Sequence, residues 1–142
     1  MANIVELRGM NNDKLAEMLE NGREEMFNLR FRNASSQLDD YSRLKVVRRE
    51  IAQIESTLRM RQLAEDTAVG QPEIAAALAG KEWQATTSFS YEASAWQVSF
   101  VDADGNDLAS ASVDLNKKQP KGRKARLQKA APQLVTRYEI AG

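Results

Sequence analysis

The side chains with the strongest chemical character in this 142-residue sequence are arginines, and they cluster. Arg30 and Arg32 close one apolar-patterned stretch, and Arg43, Lys45, Arg48 and Arg49 open the next. A guanidinium presents a planar fork of donors that fits two phosphate oxygens at once. Clustered arginine is therefore the electrostatic footprint of nucleic-acid binding. Between Asn28 and Leu63 eight basic residues stand against four acidic ones, a local net charge of +4. By charge alone, a solvated helix face laced with i,i+4 ion pairs accounts for the cluster equally well. Asn28 adds an amide able to bond phosphate, ribose or a base edge. Phe27 and Phe31 lie one helical turn apart, and packing in a hairpin or against a neighbouring protein suits them better than base stacking.

Other chemistry is narrowly bounded. With no Cys and no His, disulfides, thiolate nucleophiles, most zinc sites and imidazole acid–base catalysis are excluded. The run Asp102-Ala103-Asp104-Gly105-Asn106-Asp107 superficially resembles a calcium loop, but an EF-hand needs Gly at its sixth position and Glu at its twelfth. Asp107 and Val113 stand there instead, so a hairpin turn with left-handed Gly105 is expected. Asn33-Ala34-Ser35 is a formal glycosylation sequon without meaning in a cytosolic chain. A second basic run, Lys117 to Lys129, holds Lys117, Lys118, Lys121, Arg123, Lys124 and Arg126 and is a further candidate phosphate contact. An enzyme would need a pocket with convergent polar groups, and the only tight acidic cluster sits in a turn. No enzymatic activity is expected.

These residues must be positioned by elements, and charge divides the chain before periodicity does. Residues 1–66 carry 11 basic and 12 acidic side chains, residues 67–115 carry 1 and 7, and residues 116–142 carry 8 and 1. The expected organisation is a helical hairpin over 1–66, a linker with a short helix over 67–82, a small β meander over 83–115 and a basic tail over 116–142. Asn11 or Asn12 suits an N-cap, and Leu15, Met18, Leu19, Met26 and Leu29 then form an amphipathic stripe. Gly22 lies within that stripe, where a close helix–helix approach explains it. After the polar stretch Ala34 to Tyr41, with Ser42 as the next expected cap, Leu44, Val47, Ile51, Ile54 and Leu58 make a heptad-like seam. Two such helices with a short connection pack antiparallel.

The helical pattern ends before Val69-Gly70-Gln71-Pro72, and Pro72 to Ala79 predicts a short helix stopped at Gly80. The period then changes to two: Trp83–Tyr91, Trp96–Val101 and Leu108–Leu115 predict a three-stranded antiparallel meander. The final stretch is expected as a tail, turning helical near Ala125–Ala131. The fold class is mainly α, α+β overall. No run of 18 apolar residues is present, and the start Met1-Ala2-Asn3-Ile4-Val5-Glu6 lacks the basic and apolar regions of a secretory signal. The cytosol is the expected compartment.

The ordered motifs carry a resemblance. Leu7-Arg8-Gly9-Met10, Arg23 through Arg32, Ser36-Gln37-Leu38 and Ser42 through Ala52 together resemble the bacterial large-subunit ribosomal protein twenty-nine family over about residues 3–64. Asp40-Tyr41 departs from the Pro that often precedes the Ser cap, and Val46 replaces a frequent basic residue, removing one possible phosphate contact. The resemblance implies a helical hairpin on the large subunit, lying against its rRNA beside ribosomal protein twenty-three at the mouth of the peptide exit tunnel. Factors acting on nascent chains are implied as further partners there. It implies Arg30, Arg32, Arg43, Arg48 and Arg49 as rRNA contacts, with Asn28 a weaker one and Lys45 within the same cluster. No cofactor, metal, membrane or small-molecule substrate is expected. The competing reading is a free α-helical adaptor that pairs its Leu44-to-Leu58 seam with another protein's helix.

Overall fold

A computed structural model describes residues 3–116, 122–123 and 134–141. The chain divides into two compact units, Met1–Arg59 and Met60–Gly142.

The first unit is helical. A short helix, α1 (Ile4–Gly9), opens on a capping box that the sequence reading did not anticipate: the Asn3 side chain accepts from the Glu6 amide and the Glu6 carboxylate accepts from the Asn3 amide. α1 buries Leu7. Helix α2 (Asn12–Ala34) starts at Asn11, whose side chain accepts from the Lys14 amide at 2.8 Å. It ends in a Schellman arrangement at Ser36, φ +58°, with Gln37 N–H donating to Arg32 C=O at 2.8 Å and Ser36 N–H to Asn33 C=O at 3.2 Å. The left-handed residue is thus a serine rather than the usual glycine. Helix α3 (Ser42–Val69) follows. Ser42 was the expected cap, but it is the first helical residue, and the Asp40 carboxylate accepts from both its amide and its hydroxyl. A carboxylate two residues before the first helical residue matches the positive end of the dipole better than a hydroxyl does.

The packing shows that α2 and α3 run antiparallel. Met26 and Leu29 cluster with Leu38, Leu44, Val47 and Ile51, while Leu15, Met18 and Leu19 cluster with Leu7, Ile54 and Leu58. Between the two clusters Gly22 faces Ile51, and a Cβ there would lie 3.2 Å from Ile51 Cγ1. The glycine is spent on close approach, as its place in the stripe suggests. Leu15, Val47 and Ile54 are essentially solvent-free, and burying each such side chain contributes about 1.5–3 kcal/mol.

The second unit is a sheet covered on one face. Helix α4 (Pro72–Leu78) starts with Pro at its N-terminus and stops before Gly80, φ +73°. Strands β1 (Gln84–Ser90), β2 (Ala95–Val101), β3 (Asp107–Val113) and β4 (Val135–Ile140) form an antiparallel sheet in that order. Trp96, Val98, Phe100, Ala109, Ala111, Val113 and Val135 point to one face and meet Ala64, Ala68, Ile74 and Leu78 from the helical residues. Strand residues of the other face, such as Gln97, Ser99, Ser110 and Ser112, are polar; Gln97 Nε2 donates to Ser112 Oγ across β2 and β3. The turn 102–107 is a hairpin turn, with Gly105 at φ +87° and Asp102 accepting from the Asp104 and Asn106 amides.

The meander expected with three strands has a fourth, so residues 116–142 are not a tail throughout. Val135-Thr136-Arg137-Tyr138-Glu139-Ile140 alternates and is rich in β-branched and aromatic residues, which suit a half-covered strand. Counting the segment's charge as one block concealed it. The helical turn expected near Ala125–Ala131 lies outside the described residues.

Candidate nucleic-acid interface

The hairpin projects its charged residues because its seam consumes the apolar ones. On α3 the seam occupies one side, and Lys45, Arg48 and Arg49, spaced by three and four, share the side turned away from it; all three are exposed. Among the described residues no carboxylate forms an ion pair with any of them. Other cations of the chain are paired: Arg23 with Glu55 at 2.8 Å, Lys14 with Glu17 at 3.1 Å, Arg137 with Glu139 at 3.0 Å. The cluster is therefore not the ion-pair-laced face that charge alone allowed.

Arg43 behaves differently from its neighbours. Its Nε and Nη2 donate to the two Glu25 carboxylate oxygens at 2.7 and 3.1 Å, a fork-to-fork pair joining α3 to α2. The hydrogen bond to Glu25, reinforced by its charge, raises the Arg43 pKa above the ordinary guanidinium value. This residue fixes the closed end of the hairpin. The expected contacts on α2 also split. Arg30 and Arg32 are both exposed but, two residues apart, point about 200° from one another around the helix. Arg32 shares its side with Asn28, one turn earlier, along a shallow groove also lined by Asn21, Glu24, Glu25 and Leu29. Arg30 stands apart from both.

Phe27 and Phe31 do not pack in the hairpin; they are 69% and 65% exposed, on the side of α2 away from α3. Sequence reasoning also missed the Glu25–Arg43 pair, because residues 18 positions apart give no spacing signal. It missed a line of acids, Asp13, Glu17, Glu20 and Glu24, that leads along α2 to the two phenylalanines. Their three-and-four spacing was visible, but the near-neutral total over 1–66 hid it. Of the second basic run, Arg123 is exposed. Lys117, Lys118, Lys121, Lys124 and Arg126 lie outside the described residues. No helix among the described residues is long and apolar enough to cross a membrane.

Comparison with known proteins falls on the hairpin. The family model described as Ribosomal L29 protein matches residues 5–61. The chain is similar to the large ribosomal subunit protein uL29 of Thermobifida fusca, 52% identical over 58 residues that cover 41% of this chain and 68% of that protein. It is 45% identical over 62 residues to uL29 of Streptomyces coelicolor, covering 44% of this chain and 84% of the relative. Against uL29 of Mycobacterium marinum it is 43% identical over 68 residues, 48% of this chain and 85% of the relative. The ordered motifs, the antiparallel hairpin and these likenesses agree, and the chain belongs to the Ribosomal L29 protein family.

Proposed function

We propose that this protein is built into the large ribosomal subunit, in the cytoplasm, with the outer face of α3 laid on rRNA through Lys45, Arg48 and Arg49. The family is structural and non-enzymatic. The observation that carries the rRNA contact is that these three exposed cations share one helix side and have no carboxylate partner among the described residues. Phosphate oxygens supply the missing counter-charge. Arg32 with Asn28 and, separately, Arg30 extend the contact towards the closed end, while Arg43 acts mainly by holding α2 and α3 in register. With about four phosphates neutralised, affinity falls on the order of a hundredfold between 50 and 200 mM salt.

We further infer that the hairpin lies beside ribosomal protein twenty-three at the mouth of the exit tunnel, where factors acting on nascent chains dock. The likeness to large-subunit proteins over residues 5–61 supports this reading. The basic run from Lys117 to Arg126 is proposed as a second rRNA contact, on its charge.

The double variant Arg48→Glu/Arg49→Glu tests the α3 face. Both side chains are exposed, so the variant keeps the wild-type helical circular dichroism, and we expect it to be absent from purified large subunits. Wild-type incorporation of that variant contradicts the assignment.

A further inference from the structure

We propose that the free edge of β1 is a docking site for an extended polypeptide segment with Lys or Arg at its ends, added as a fifth strand. The sheet lies outside the residues that match the family model, so this inference stands apart from the rRNA reading. β1 ends the strand order, and among the described residues only β2 pairs with it. Its outward amides and carbonyls are therefore open to another strand. The two edges of the sheet are built differently. β4 carries Arg137 and Glu139, charged side chains of the kind that blunt an edge, and α4 lies against it. β1, Gln84-Ala85-Thr86-Thr87-Ser88-Phe89-Ser90, runs for seven residues with neither a charge nor a proline.

The side chains along β1 define what fits. Ala85, Thr87 and Phe89 alternate towards the covered face, and the exposed rings of Trp83 and Tyr91 stand at the two ends. Trp83 is held edge-on to Phe100 and Tyr91 edge-on to Phe89. An added strand with β-branched residues at alternate positions packs between those rings, while its main chain supplies the affinity. The charged residues around the edge are Lys81 and Glu82 before the strand, Glu92 after it, Asp102 beyond the Val101 that pairs with Gln84, and Glu65 and Arg61 on α3. Glu65 accepts from Thr87 Oγ1, and the buried Arg61 offsets its charge. Three carboxylates then stand against Lys81 alone, which disfavours phosphates. A second copy fits poorly as well. Two β1 strands paired antiparallel about Thr87 set Glu82 of each at the Glu92 end of the other, and like charges across strands destabilise such a pair. Cations at both ends of an incoming segment instead meet Glu82 and Glu92.

The test uses the full chain in solution and a synthetic peptide of alternating Thr and Val with Lys at both ends, long enough to span Glu82 to Glu92. By NMR, the peptide should slow hydrogen exchange at alternate amides of β1 and leave β4 unchanged. An antiparallel strand turns only every second residue towards a given neighbour. N-methylating alternate peptide amides in one phase should therefore abolish binding, whereas methylating the other phase is tolerated. Placing Glu at both peptide ends should weaken binding by about tenfold or more, as should the exposed double variant Glu82→Lys/Glu92→Lys in the chain. Combining the two changes should restore it. No binding, protection outside β1, or equal effects of the two methylation phases overturns the proposal. Alternate β1 amides already protected in the free chain assign the edge to another part of this chain, and protection that rises with chain concentration assigns it to a second copy. Either result also overturns the proposal, and none of these outcomes touches the rRNA reading, which concerns the α3 face.

Discussion

Arg43 and Arg48 lie five residues apart on α3 and have the same chemistry, yet their surroundings give them different work. Glu25 engages Arg43 with two hydrogen bonds, whereas Arg48 meets no carboxylate among the described residues. The seam that turns Arg48 outward was legible in the sequence, since Leu44, Val47, Ile51, Ile54 and Leu58 recur every three or four residues. The Glu25–Arg43 pair was not, because it depends on how two helices register in space. Asp40 gives a pH dependence at this scale. Its carboxyl is held below the ordinary range, chiefly by the hydrogen bond from the Ser42 hydroxyl and then by that from the Ser42 amide. A carboxyl with a depressed folded-state pKa contributes its stabilisation above its unfolded value and loses it as pH falls through the folded value. The start of α3 should therefore hold at neutral pH and loosen below the ordinary carboxylate range. In an NMR titration of the Ser42 amide, Asp40→Asn should remove that step; a step of the same size in the variant assigns it elsewhere. Gly22 gives a steric prediction. Even a Cβ would stand 3.2 Å from Ile51 Cγ1, so Gly22→Leu overpacks the contact and should cost about 1–3 kcal/mol in urea unfolding. Unchanged stability would mean the helices do not approach closely there.

At the scale of elements the two units were legible to different degrees. Long helices with an apolar stripe announce themselves, and the α2 and α3 hairpin follows from period and polar connection alone. The capped α1, six residues long, does not, because so short a segment carries little periodicity. In the sheet, β1 to β3 were found by alternation, with ends within about two residues. The missed β4 pairs with β3 by way of a register shift between Ser112 and Val113, and no local pattern reports such a partner. The core of this unit centres on Phe100, fully buried and edge-on to Trp83 with ring centroids 5.3 Å apart. Both tryptophans of the chain, Trp83 and Trp96, belong to this unit, so their fluorescence reports on it specifically. Phe100→Ala should lower the stability read by tryptophan fluorescence by about 3–5 kcal/mol. A change under about 1 kcal/mol would show that the sheet's core is built on other residues.

For the whole molecule, the family match and the compact units nearly share a boundary, the match ending at residue 61 and the first unit at Arg59. The ribosomal character therefore resides in the hairpin unit, and the sheet is what this chain carries beyond the matched region. Net charge concealed that division: the chain sums to zero although it holds a basic α3 face, an acidic α2 face, an acidic stretch at 67–115 and a basic run after it. Charge counted by segment shows the last two, while the first two share one near-neutral segment and separate by their helical spacing. Sedimentation of the full chain with large subunits over a salt series tests the central claim most directly. We predict that the protein travels with the large subunit at low salt, leaves it steeply as salt rises, and is released by RNase. A chain that instead sediments alone as a stable oligomer, indifferent to RNase, contradicts the account and identifies a free helical adaptor.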